Sequence, residues 1–139
     1  MMPDDDVDAV LKNPGLRAMT IEISGASDEE ILNLHAHARV FVFPTRIEGF
    51  GIPPLEALSC GVPVVVSDIP VTREVCGDTV RYADPDDPAD FARAIREALL
   101  EPCGEEADLR GKERARKYAG NNTVAQYLAL FGRCIDRKV

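Results

Sequence analysis

The sequence predicts an α/β fold, a Rossmann-like parallel sheet with flanking helices. Three observations predict it. VFVFP (40–44) and VPVVVSD (62–68) are apolar almost throughout, as strands covered on both faces are. Segments of helical period alternate with these strands, joined by turns of a few residues, which is the pattern of a mostly parallel sheet. The chain has 139 residues, enough for one domain with a real core.

The elements follow in chain order. Residues 1–15 are acidic and punctuated by proline and glycine, an amino-terminal segment expected to be ordered only in part. AMTIEIS (18–24) alternates Met19, Ile21 and Ile23, the pattern of a half-buried strand. Ser27 and Glu30 form a capping box, and the helical spacing of Ile31, Leu34 and Ala38 supports a helix over about 28–37. After strand 40–44, Pro53 and Pro54 open a helix of about two turns, ended by Gly61 and Pro63. Strand 62–68 leads to a short helix at TREV, closed by Gly77, and TVRYAD (79–84) predicts a third, weaker strand. Asp87-Pro88 starts a helix with an apolar stripe of Phe91, Ile95, Ala98 and Leu99. A charged helix is expected over 105–118, and a last one over 123–135 with Val124, Leu128, Phe131 and Ile135 on one face.

Composition narrows the function. Sixteen Lys and Arg against 24 Asp and Glu give a net charge of -8, which opposes binding to nucleic acid or an anionic membrane. No apolar run approaches the roughly 20 residues of a membrane helix, and MMPDDDVDAV lacks the basic-then-apolar order of a signal peptide. A cytoplasmic setting is expected, with Asn121-Asn122-Thr123 a helix start rather than a glycosylation site. Cys60, Cys76, Cys103 and Cys134 are far apart and read as free or buried thiols. His35 and His37, two apart on a helix, point in different directions and read as cap or surface residues. Asp84, Asp86 and Asp87 read as a turn and helix cap rather than a calcium loop. Arg73 and Glu74 follow strand 62–68 at the ligand edge, where a helix start competes with a role near a nucleotide base.

Ligands of such sheets lie beyond the carboxyl ends of the strands. The stretch PTRIEGFGIPPLE occupies that edge after strand 40–44. Gly49 and Gly51 let backbone N–H groups approach a ligand. The helix amino terminus after Pro53 suits phosphate. Glu48 and Glu56, at either end of the turn, can accept hydrogen bonds from hydroxyls. A sugar nucleotide, hydroxylated at both ends and anionic in the middle, matches this set. A pair of glutamates at this spacing also occurs in plain β-α turns, with both carboxylates solvated.

The longer string decides between them. Glu48, Gly49, Phe50, Gly51, Pro54, Glu56, Ala57, Gly61, Pro63, Val64 and Val65, within EGFGIPPLEALSCGVPVVVSDIP, closely resemble the signature of retaining GT-B glycosyltransferases, in particular family 4 (group 1), with a slight lean toward mannosyltransferases. The resemblance spans roughly residues 16–100. It implies that 16–139 is a truncated carboxyl-terminal, donor-binding domain, a partial GT-B domain. By the same resemblance Glu48 is the catalytic-site residue, touching the donor sugar's hydroxyls near the reacting carbon. The donor-binding set is Gly49, Phe50, Gly51, Ile52, Leu55 and Glu56, with the amides of 49–51 on the sugar and Glu56 on the ribose. It implies a GDP- or UDP-hexose donor (mannose or glucose), transfer with retention, no metal and no cofactor.

The family's amino-terminal acceptor domain and the first two strand-helix units of the donor domain, with the Arg/Lys pair that clamps the diphosphate, have no counterpart here. Each charge-assisted bond is worth about 1.5–3 kcal/mol, so the isolated chain is expected to bind donor at millimolar levels or not at all, and to be inactive alone. Strand 40–44 would be an exposed apolar edge, and self-association through it is expected. Two other readings compete: a non-catalytic binding or assembly module derived from a truncated glycosyltransferase, and a sugar-nucleotide epimerase. The EGFG…PPLEA string favours transfer over epimerisation.

Overall fold

The computed structural model describes residues 12–101 and 104–136. The acidic segment 1–11, Cys103, and the side chains of Cys134 and Ile135 lie outside the described residues, as do the side chains of 121–123. Two compact units divide between Glu30 and Ile31.

In the first unit, Asn13 caps a single-turn helix, α1 (Pro14–Arg17), by accepting from the amides of Gly15 and Leu16. Segment 18–24 is not a strand. Met19, Ile21 and Ile23 are all exposed. Alternation makes a strand only where a neighbouring ladder takes its N–H and C=O groups, and no described residue pairs with this segment. Ser27 and Glu30 do form the expected capping box at the start of α2 (Asp28–His37). The Ser27 amide donates to Glu30 at 2.8 Å and the Glu30 amide to the Ser27 hydroxyl at 3.3 Å. The bond from the Ser27 amide, aided by its hydroxyl, holds the Glu30 carboxyl below the usual glutamate range.

The second unit is built on a three-stranded parallel sheet of order β1-β2-β3, where β1 is Phe41–Phe43, β2 is Val64–Ser67 and β3 is Arg81–Ala83. Val65 of central β2 lies between Val42 and Arg81. All four β2 residues are buried, which is why the segment reads as an unbroken apolar run. Its side chains alternate between two layers. Val64 and Val66 join Leu55, Leu58, Val75 and Cys76 on one face. Val65 joins Ala83, Ala94 and Ala98 on the other. The first layer holds α3 (Ile52–Ser59) and α4 (Pro70–Cys76), and the second holds α5 (Pro88–Leu100). Helices on both faces of a parallel sheet are the Rossmann-like arrangement the sequence predicts.

Two long helices complete the unit, α6 (Glu105–Lys117) and α7 (Gly120–Asp136). The polar α6 packs chiefly on α3 and also reaches α4, where Arg114 donates to the Glu74 and Val75 carbonyls. A Cβ at Gly111 would lie 3.0 Å from Leu58 Cδ2, so the missing side chain is what brings α6 and α3 together. The helical period of α7 is as predicted, but Val124, Leu128 and Phe131 are exposed. In α2 the buried position is His35, while Leu34 is half exposed. His35 is therefore neither cap nor surface residue: its ring meets Phe41 edge-on at 5.0 Å. His37 instead bonds the Asn33 carbonyl through Nδ1 at 2.8 Å.

Candidate functional site

Three turns leave the carboxyl ends of the three strands, and each starts a helix. The first, residues 44–51, carries the residues singled out in the sequence. Gly51 has φ +87° and ψ +57°, a left-handed conformation that favours glycine, and it turns the chain into α3. Glu48 folds back over its own loop. Its Oε1 accepts from the Gly49 amide at 2.8 Å and the Phe50 amide at 3.4 Å. Oε2 receives no donor from the described residues.

The amino terminus of α3 offers fewer donors than its sequence position promises. The helix begins at Ile52, and the next two residues, Pro53 and Pro54, have no N–H. Of the first three positions only Ile52 can donate, so amide donors at this corner come chiefly from the loop 49–51. The positive dipole end of the helix remains.

Further along α3, Glu56 lines an open cavity of about 740 Å³. Its carboxylate has no hydrogen bond or ion pair among the described residues. Phe50, Ile52 and Leu55 line the same cavity. The structure thus brings four of the expected residues together around one space. Glu48, Gly49 and Gly51 lie outside its lining. The far wall, with Lys112, Arg116 and Tyr118, comes from α6 and the residue after it, which the sequence reading passed over as a charged helix. Gly111 was the available signal, a small residue in a polar helix that allows close approach to α3. Lys112 is held by Asp108 at 2.8 Å. Tyr118 meets the Phe50 ring edge-on at 5.4 Å.

The other two turns are closed by their own side chains. After β2, Arg73 donates to both oxygens of Asp68 at 2.6 Å and its guanidinium lies 3.9 Å above the Tyr82 ring. These bonds hold Asp68 below the usual aspartate range. Arg73 is accordingly committed to its own turn, and Glu74 lends its carbonyl to Arg114 and Tyr118. After β3, Asp84 accepts from the Asp86 amide and Asp87 caps Ala89, the turn and cap expected of DPDDP. Asp86 also pairs with Arg46 of the first turn at 3.0 Å. Among the cysteines described, Cys60 and Cys76 are free thiols. Burial pushes the Cys76 thiol up to about 11.

Comparison with known proteins places this architecture. Sucrose-phosphate synthase from Thermosynechococcus elongatus superposes with a TM-score of 0.81 at 21% identity, over 97% of this chain and 35% of that one. The fold is therefore the Rossmann-like one of the GT-B glycosyltransferases. The family "Glycosyl transferases group 1" matches residues 5–118, and the chain belongs to that family. It is 40% identical over 130 residues to O-antigen chain mannosyltransferase B of Escherichia coli, covering 92% of this chain and 34% of that protein. It is 30% identical over 141 residues to the MMP alpha-(1->4)-mannosyltransferase of Mycolicibacterium hassiacum, covering 97% of this chain and 34% of that protein. The chain thus spans about a third of the length of these two relatives.

Proposed function

We propose that this chain is the donor-binding part of a hexosyltransferase that takes its sugar from a GDP- or UDP-hexose, with mannose favoured, and retains the anomeric configuration. The observation that carries the reading is the corner at 48–56. A carboxylate with one oxygen unused, glycine-flanked amides and a helix dipole adjoin a cavity lined by a second carboxylate, both free of other partners among the described residues. Glu48 Oε2 accepts from a sugar hydroxyl, the 49–51 backbone contacts the same sugar, and Glu56 accepts from the ribose. The diphosphate lies toward the start of α3, where Pro53 and Pro54 leave few amides to bind it. Tight binding accordingly needs cations from elsewhere in the enzyme, and the isolated chain is expected to be inactive. No metal or cofactor is part of the scheme. The slight lean of the sequence toward mannosyl transfer is supported by the two mannosyltransferase relatives.

Two further expectations belong to the same proposal. Free thiols at Cys60 and Cys76 fit a reducing, cytoplasmic setting. Strand β1 pairs only with β2 among the described residues, so its other edge suits a second strand, from another copy or from the rest of the enzyme.

Saturation-transfer NMR with GDP-mannose, UDP-glucose and UDP-N-acetylglucosamine tests the reading. Signal on ribose and sugar protons is expected for the wild-type chain and is lost in Glu56→Ala. Silence from all three donors at several millimolar would leave the corner as inherited architecture.

A further inference from the structure

Little holds the loop that carries the proposed sugar contacts. No heavy atom lies within 4 Å of where a Cβ at Gly49 would sit, and Ile47 is 90% exposed. The Thr45 hydroxyl bonds only the nearby Ile47 carbonyl. Two described side chains reach beyond the loop. Arg46 pairs with Asp86, but both groups stand in water, where such a pair contributes little. Phe50 meets Tyr118 edge-on, a geometry with an attraction beyond simple burial.

Tyr118 is itself fixed from the opposite side. Its hydroxyl donates to the Glu74 carbonyl at 3.3 Å. Arg114 lies 5.6 Å from the centre of its ring and donates to the carbonyls of Val75, at 2.8 Å, and Glu74. A line of contacts therefore runs from the last turn of α4, through the end of α6, to the one side chain between the two glycines.

We infer that Tyr118 is a positioning residue, which grips Phe50 so that the amides of 49–51, and the Glu48 carboxylate they hold, keep one orientation toward the donor sugar. This rests on the donor-site reading above. It differs from that reading in assigning a task to a residue outside the glutamate-glycine string, and in confining that task to the sugar end of the donor.

The test compares the wild-type chain with Tyr118→Phe and Tyr118→Ala. Each is titrated with GDP-mannose against GDP and with UDP-glucose against UDP, and ¹⁵N relaxation is recorded for the amides of Gly49, Phe50 and Gly51. Tyr118→Phe keeps the ring against Phe50 and Arg114 and loses only the long, exposed bond to Glu74, so it should stay close to the wild type. In Tyr118→Ala the order parameters at 49–51 should fall from about 0.85 toward 0.6, with those of β2 and α3 unchanged. The dissociation constant for the sugar nucleotide should rise about 2- to 10-fold, the worth of one edge-to-face pair, and that for the bare nucleotide should stay put. Phe50→Leu, which removes the contact from its other end, should reproduce both changes if Tyr118→Ala folds poorly.

Unchanged order parameters would overturn the inference. So would an equal loss of affinity for nucleotide and sugar nucleotide, which would make Tyr118 a direct contact of the nucleotide. If the wild-type chain binds neither at several millimolar, the corner stands as inherited architecture in this chain, and the order parameters still decide whether Tyr118 orders the loop.

Discussion

The β1–α3 and β2–α4 turns leave the same edge of the same sheet, and both lead into a helix with proline in its first turn. They differ in what satisfies the backbone. At β2–α4 the buried Thr72 hydroxyl donates to the Ser67 and Ile69 carbonyls, at 2.5 and 2.9 Å, and accepts from the Ile69 amide at 3.3 Å. Asp68 and Arg73 then close the outside. At β1–α3 the Thr45 hydroxyl donates only to the Ile47 carbonyl at an exposed position, and no described aspartate closes the outside from within the turn. Gly51 stands at the cap with no side chain to bond, and the amides of 49 and 50 turn to the carboxylate of Glu48, which can change partner when a ligand arrives. One turn is closed by a buried hydroxyl and an ion pair, and the other by a carboxylate that, on the proposed reading, the donor would engage.

Thr72→Val breaks the closed turn and carries the largest expected effect. Valine keeps the shape but removes the hydroxyl's bonds to the Ser67 and Ile69 carbonyls at a position where Thr72 is 1% exposed, while the Ile69 amide keeps the Ser67 carbonyl at 3.0 Å. Each lost hydrogen bond costs about 0.5–1.5 kcal/mol, so a fall of several degrees in Tm is expected by thermal unfolding. An unchanged Tm would mean that this hydroxyl network is not what closes the turn.

Gly51→Ala and Gly49→Ala sharpen the comparison from the open side. Alanine at Gly51 inherits φ +87°, which costs an L residue about 1–2 kcal/mol, and urea unfolding should register it. Gly49 has no positive φ and open space around its missing Cβ, so alanine there should leave stability within about 0.5 kcal/mol. Donor affinity should nevertheless fall about tenfold, because the space the new methyl fills is the one proposed for the sugar. If neither stability nor donor binding changes in Gly49→Ala, the glycine serves only the turn.

Much of this contrast was legible in the sequence, for reasons that differ between elements. β2 reads correctly because a strand buried on both faces is mostly apolar, as Val64, Val65 and Val66 are, with Ser67 its one buried polar residue. α5 reads correctly because Asp87 caps it and its stripe of small and large apolar residues meets the sheet. The first turn was legible as a turn through Gly49, Gly51 and the prolines that open α3, and Gly51 takes the left-handed cap position; the work of the two glutamates belongs to the proposal. Periodicity misled at one strand and, in two helices it read correctly, left the buried face open. Segment 18–24 alternates like a strand, but no described partner takes its hydrogen bonds. In α2 the apolar stripe gave the period but not the buried face, which the ring of Phe41 sets by receiving His35. In α7 the stripe is present and exposed. The cavity's far wall was illegible because α6 sits there by contact with α3, at a sequence distance of about fifty residues that no local pattern spans.

The smallest effect concerns the outer closure of the β2–α4 turn. Two hydrogen bonds from Arg73 hold Asp68 below its ordinary value of 3.8. A carboxylate whose folded-state pKa is depressed stabilises the fold above its unfolded pKa, and that contribution is lost as pH falls through the depressed value. The pair stands largely in solvent, so screening keeps the effect modest. Wild type and Asp68→Asn should therefore differ slightly in Tm near neutral pH. The two curves should hold that gap down to about pH 4 and converge below it, as Asp68 takes up its proton. Asp90 and Glu30 are also held low and give both proteins an acid slope, so the reading is in the difference between the curves. Curves that coincide at every pH would show that the bidentate pair adds nothing to the turn, leaving its closure to Thr72 alone.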